Sequence, residues 1–185
     1  MSELPPFTGF PKIARLRRDI IITEKIDGTN AQVFIEDDGT TIHFGSRTRW
    51  LSETSDNRGF WKWGHAHEPE LLTLGPGHHF GEWWGLGIQR RYDLQEKRFS
   101  LFNTYRWSDA LDVRPACCAV VPVLYEGPFD FHAIDEVLCN LRTGGSVASP
   151  GFLKPEGIIV YHAVSKTYFK QTIDNDEVAK GQTNE

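Results

Sequence analysis

Residues 19–30 read Asp19-Ile-Ile-Ile-Thr-Glu24-Lys25-Ile26-Asp27-Gly28-Thr29-Asn30. The run from Asp19 to Glu24 is short and β-branched at its centre, the pattern of a buried strand. That strand delivers Lys25 to its end, and Gly28 turns the chain into the next strand. A lysine there projects into a cleft, and a glycine beside it lets the backbone approach a phosphate or a sugar closely. Lys-x-Asp-Gly alone also fits a surface lysine ahead of an ordinary Asp-Gly turn. The surroundings must decide.

Outward from this stretch the chain continues to read as strands. Ala31 to Glu36 and Thr41 to Phe44 are joined through Asp37-Asp38-Gly39-Thr40, a hairpin turn in which glycine takes positive φ cheaply. Strand periodicity stops between Asp56 and Leu74, where one or two short helices are expected, ending near Gly75-Pro76-Gly77. His79 to Trp84, Arg98 to Asn103 and Ala119 to Tyr125 read as further strands. Ile134, Val137, Leu138 and Leu141 recur at helical spacing, and Gly144-Gly145 supplies a stop. Gly157 to His162 and Thr167 to Thr172 form a closing pair of strands, followed by a polar, fraying tail. The expectation is an α+β fold of mostly antiparallel β-sheets flanked by a few helices. It forms a single domain over residues 1–172, with a tail over 173–185.

Bulk properties agree. The 185 residues suffice for one compact core, and 39 % hydrophobic with 24 % charged residues is ordinary for a globular protein. A net charge of −5 excludes a uniformly basic nucleic-acid binder. It leaves room for a local basic face, for which Lys12, Arg15, Arg17 and Arg18 are the candidates, although such runs are often plain solvated surface. Cys117, Cys118 and Cys139 are odd in number and lack a Cys-x-x-Cys, so they suggest neither a disulfide framework nor zinc. The first residues lack a signal-peptide pattern and no apolar run is long enough to span a membrane, which points to a cytoplasmic protein.

Further short segments follow in order: Ser46-Arg47-Thr48, His79-Phe-Gly-Glu82-Trp-Trp-Gly85, Phe99-Ser-Leu-Phe102-Asn103, Pro155-Glu156-Gly157-Ile-Ile-Val160 and Tyr168-Phe-Lys170-Gln-Thr172. Together with Lys25-Ile-Asp-Gly-Thr-Asn30 this series resembles motifs I, Ia, III, IIIa, IV and V of the covalent nucleotidyltransferases: DNA ligases, RNA ligases and mRNA capping enzymes. Asn30 stands where DNA ligases and capping enzymes usually carry arginine. That makes the chain most similar to the ATP-dependent RNA ligases of bacteriophages, from about Glu24 to Thr172.

The resemblance implies a role for each residue. Lys25 would be the catalytic nucleophile that forms lysyl-AMP. Arg47 would contact the sugar or phosphate, Glu82 the ribose hydroxyls and Phe102 the adenine face. Glu156 would hold the metal through water, and Lys170 would grip the α-phosphate. Asn30 would act once an RNA terminus is present, and the backbone around Glu24 would read the adenine edge. The cofactors would be ATP and Mg²⁺, with Mn²⁺ as a substitute, and the partners RNA ends, nicked or single-stranded, as in RNA repair. The chemistry is self-consistent. A lysine with an ordinary pKa near ~10.4 must lose its proton to attack, and the phosphoryl transition state needs cations placed beforehand.

Each residue also has a plainer reading. Arg47 with Arg49 fits surface ion pairs, Phe102 plain core and Glu156 an edge residue. Glu82, set between aromatics, would be costly to bury without a partner, which favours a function. His65, His67, His78 and His79 lack a companion set for metal, and Trp61, Trp63, Trp83 and Trp84 suit core and cleft walls. Two features depart from the family. Lys170 is flanked by Tyr168 and Thr172 where a second lysine is common, leaving Lys166 as a weaker candidate. The residues after Thr172 are too few for the C-terminal domain that many relatives carry. Two alternatives stay open: a DNA or RNA–DNA ligase of the same mechanism, and a nucleotide- or RNA-end-binding module without turnover.

Overall fold

The computed structural model describes residues 5–107, 114–174 and 176. Its strands are β1 (Asp19–Lys25), β2 (Thr29–Ile35), β3 (Ile42–Ser46), β4 (Gly77–Gly85), β5 (Lys97–Leu101), β6 (Cys118–Val120), β7 (Val123–Pro128), β8 (Gly157–His162) and β9 (Thr167–Thr172). The helices are α1 (Phe60–Ala66), α2 (Glu68–Leu71), α3 (Thr104–Trp107) and α4 (Phe131–Gly144), and a 3₁₀ turn spans Leu72–Leu74. The strands form a four-stranded sheet in the order β7-β1-β8-β9 and a five-stranded sheet in the order β3-β2-β4-β5-β6. Every pairing is antiparallel except β5 with β6. The fold is the expected α+β.

Each sheet buries one face under helices. On the four-stranded sheet Ile20, Ile22, Ile158 and Val160 pack against Leu138 and Leu141 of α4. Asp130 caps that helix by accepting from the His132 N–H at 3.0 Å, and Gly145, at φ +86°, ends it with its N–H on the Leu141 carbonyl. On the five-stranded sheet Val33, Ile35, Phe44, Trp83 and Phe99 pack with Phe60 of α1. A third cluster of Ile26, Trp84, Tyr92, Val121 and Phe152 joins the two sheets. It includes Ile26, just after β1, and Trp84, near the end of β4, so it anchors the chain beside Lys25.

One expectation fails. Ala119 to Tyr125 is not one strand: β6 lies in the five-stranded sheet and β7 in the other. Pro122 separates them, having no N–H for a ladder, and its carbonyl accepts the Glu24 N–H at 3.0 Å. The short helix α3 was also unforeseen. The tail from Asp174 falls mostly outside the described residues, but its start is tied down, since the Asp176 carboxylate accepts the Thr172 N–H at 2.8 Å.

Candidate active site

Strand alternation sorts the β1 side chains. Ile20, Ile22 and Glu24 face α4, whereas Thr23 and Lys25 face the opposite side. Lys25 is paired with Gly157 across the ladder, and Thr23 with Ile159. Ile159 is paired in turn with Lys170, so Lys170 shares the Lys25 face two strands away. Lys166, by contrast, lies in the β8–β9 turn at the other end of β9, at φ +53°.

Glu156 immediately precedes β8, where its carbonyl accepts the Ile173 N–H at 2.9 Å. Its carboxylate meets the Lys25 ammonium, with Nζ 2.5 Å from Oε2, across 131 positions of sequence. The lysine side chain is 19 % exposed and the glutamate 5 %. The nitrogen is thus reachable from solvent while its direction is set by a nearly buried oxygen.

Glu82 reaches the same place from β4 and is buried. One carboxylate oxygen accepts the Gly28 N–H and the other the Asn30 side-chain amide, both at 3.0 Å. The Asn30 backbone carbonyl accepts from Asn57, which also takes the Thr29 hydroxyl. Gly28 was expected to make room for a ligand. The room is instead taken by β4, for a Cβ there would stand 2.5 Å from the Trp83 carbonyl and 2.7 Å from the Trp84 Cβ.

Burial pushes the Glu82 carboxyl from 4.5 up to about 7, with the Glu156 charge adding to the rise, while Lys25 and the two hydrogen bonds pull down. Folding therefore favours the protonated acid. The stability this gives is complete below about pH 4.5 and is lost as pH climbs through about 7, by about 3 kcal/mol in all. Thermal unfolding across that window should show the wild type losing more stability than Glu82→Gln. The glutamine has no proton to lose, although its amide nitrogen opposes a donor and costs about 1 kcal/mol at every pH.

Asp27 is held by two residues, Arg90 and Tyr92, that no motif singles out. Its N–H donates to the Tyr92 hydroxyl at 2.8 Å, and its carboxylate accepts Arg90 Nε at 3.1 Å. Arg90 also donates to the carbonyls of Lys154 and Pro155, at 3.0 and 3.4 Å. One guanidinium therefore ties the loop after Lys25 to the segment before Glu156. The loop that carries it bends through left-handed Gln89, Arg91, Tyr92 and Asp93, a strained course that this clamp offsets. The only local signal was a glycine pair, Gly85-Leu-Gly87, and the contact to Asp27 spans 63 positions.

The remaining candidates are spread around this centre. Glu24 is buried and its carboxylate takes the Ser146 hydroxyl and the Val147 and Ala148 N–H groups, at 2.6, 2.8 and 2.8 Å. That side chain holds the 146–148 loop. Arg47 is exposed in the turn after β3 and pairs with no acid among the described residues. Phe102 is 41 % exposed at the end of β5, with its N–H on the Phe80 carbonyl.

The histidines have ordinary partners: His65 meets Glu68, His67 the Trp63 carbonyl, His78 Gln32 and His79 the Gly75 carbonyl. Trp83 and Trp84 are core. Cys117, Cys118 and Cys139 are free. Among the described residues no three His, Cys, Asp or Glu stand close enough to cage a metal, and no helix is long and apolar enough to cross a membrane. Mg²⁺ needs no such cage. It takes one or two carboxylates and completes its shell with water and substrate phosphates, which Glu156 fits.

The family model for RNA ligase matches residues 18–180, spanning both sheets and every residue of this centre. No curated protein matches the chain. Solved structures of Naegleria gruberi RNA ligase are similar in fold. A lysine-to-alanine mutant with ATP and Mn aligns at a TM-score of 0.66 and 23 % identity, over 85 % of this chain and 50 % of that one. A lysine-to-methionine mutant with AMP and Mn gives 0.65 and 23 %, over the same 85 % and 50 %. The ligase with pyrophosphate gives 0.64 and 22 %, over 85 % and 50 %. This chain thus spans about half the length of those structures. On the strength of the family match, which takes in nearly all of its sequence, the chain belongs to the RNA ligase family.

Proposed function

We propose that the chain transfers adenylate from ATP to Lys25 and then to a 5′-phosphate end of RNA, which a 3′-hydroxyl seals. The observation that carries this reading is the meeting of Lys25 and Glu156 at 2.5 Å beside Glu82. In the first step the Lys25 amine, having lost a proton, attacks the α-phosphorus of ATP. A P–N bond forms, the bond to the β-phosphate oxygen breaks, and pyrophosphate leaves. In the second step an oxygen of the RNA 5′-phosphate attacks the same phosphorus and the lysine amine departs. In the third, the 3′-hydroxyl oxygen attacks the RNA phosphate, loses its proton and expels AMP.

The side chains divide this work. Glu156 aims the Lys25 nitrogen before ATP arrives, which supplies orientation in advance. Lys170, from the same sheet face, neutralises charge on the α-phosphate. Glu82 accepts from ribose hydroxyls, Phe102 stacks on adenine and Arg47 reaches sugar or phosphate. Asn30, held against Glu82, engages the RNA terminus. Glu156 would hold a divalent cation, Mg²⁺ or the Mn found in the Naegleria structures, which would supply positive charge at the phosphate. A cytosolic setting provides both ATP and the cation.

Incubation with α-labelled ATP and divalent metal tests this. Acid-labile label on the protein is expected, discharged by RNA with a 5′-phosphate. Label from GTP alone would point to capping chemistry, discharge by nicked DNA but not RNA to a DNA ligase, and no label to a binding module.

A further inference from the structure

The sheet face that carries Asn30 and Glu82 continues beyond them. By register, Asn30, Gln32 and Phe34 of β2 share that face with Glu82, Phe80 and His78 of β4. Inward of Glu82 comes Trp84, which is core. Outward the face opens, and Phe80 is 54 % exposed. Several rings on it stack on one another, while Trp50 tilts by 40° against Phe34 and by 51° against His43. Phe34 and His78 stand 4.3 Å apart at 27°, His78 and Phe80 5.6 Å apart at 4°. His43 stacks on Phe34 at 6.0 Å and 17°, and Trp50, 52 % exposed, lies 6.5 Å from His78 at 19°.

Mutual packing explains why the rings touch, but not why Trp50 and Phe80 leave half their surface in water. An exposed aromatic array of this extent marks a binding surface. Two of the five rings are imidazoles, which dilutes the apolar character a protein-docking patch needs at its centre and suits stacking on nucleobases. The turn that presents Trp50 is closed by the Ser46 N–H on the Arg49 carbonyl at 2.8 Å, and it places Arg49 at the margin, where a guanidinium meets phosphate. Among the described residues, Glu36 is the acid that hydrogen-bonds the array. It binds His43 Nε2, on the ring's edge, at 2.7 Å. From Asn30 to Phe34 is about 13 Å along the strand, a path of a few nucleotides.

We propose that this face is a stacking platform for unpaired bases of the RNA strand leading to the Lys25 centre, with Arg49 on its phosphates. The proposal rests on the ligase reading of that centre and gives it a substrate class, an RNA end with several unpaired nucleotides.

The test compares a single-stranded 5′-phosphorylated RNA with the same oligomer made abasic over its terminal nucleotides, by fluorescence anisotropy on the whole chain. Stacking on aromatic rings predicts about tenfold tighter binding of the intact oligomer. Trp50→Ala should narrow that gap, and His78→Leu offers the same comparison should the first variant fail to fold. Equal affinity of wild type for both oligomers, or a gap that neither variant narrows, overturns the proposal and leaves the patch to a protein partner. Uptake of label from ATP, measured in parallel on the wild type, keeps the two readings apart. Label without the base-dependent gap sinks the platform alone, and the gap without label sinks the ligase reading alone.

Discussion

Lys25→Arg should take up no label from α-labelled ATP, a loss of at least roughly 10³-fold, while the protein stays folded. Arginine keeps a cation at the end of β1, within reach of the Glu156 carboxylate, so the charge balance of the site survives. What it cannot do is attack. Its guanidinium stays protonated at every accessible pH and has no lone pair to offer phosphorus. Lys25→Ala should be equally inactive but less stable. It removes the ammonium from a carboxylate that is 5 % exposed, at a cost on the order of 2 kcal/mol. Urea unfolding of both variants beside the labelling assay separates chemistry from folding. An arginine variant that still forms the adduct would assign the nucleophile elsewhere.

Glu156→Gln should slow adenylylation by about 10 to 10²-fold, the scale seen when a carboxylate that holds a metal through water is lost. The substitution preserves shape, and the backbone is held by β8 and by the Ile173 N–H, so position is retained and charge is not. Lys25 keeps its access to solvent, at 19 % exposed, so the variant should fold. Single-turnover labelling at several metal concentrations measures the effect. A rate within threefold of wild type would remove Glu156 from the mechanism, whatever its distance to Lys25.

Much of this was legible in the sequence where local chemistry is strong. The β-branched run ending at Lys25 forms β1, and the spacing of Ile134, Val137, Leu138 and Leu141 with its glycine stop forms α4. The last two strands run as read, from Gly157 to His162 and from Thr167 to Thr172. Pro122 shows the other case. The signal for a break was present, but the apolar residues around it outweighed it.

Glu82 was readable in outline, because an acid among buried aromatics demands partners. The structure supplies them in Gly28 and Asn30. Arg90 and Tyr92 could not be read. Their contacts to Asp27 cross more than sixty positions and depend on a loop with no periodic pattern. The meeting of Lys25 with Glu156 is of the same kind, and it was anticipated only through the order of motifs that resembles the ligases.

Peptide mass mapping after incubation with ATP and divalent metal goes to the heart of the account. One adenylate should be found, attached through nitrogen to the peptide that contains Lys25 and lost in mild acid. An adduct on any other residue, or a wild-type protein that remains unmodified with ATP and metal in excess, would contradict it.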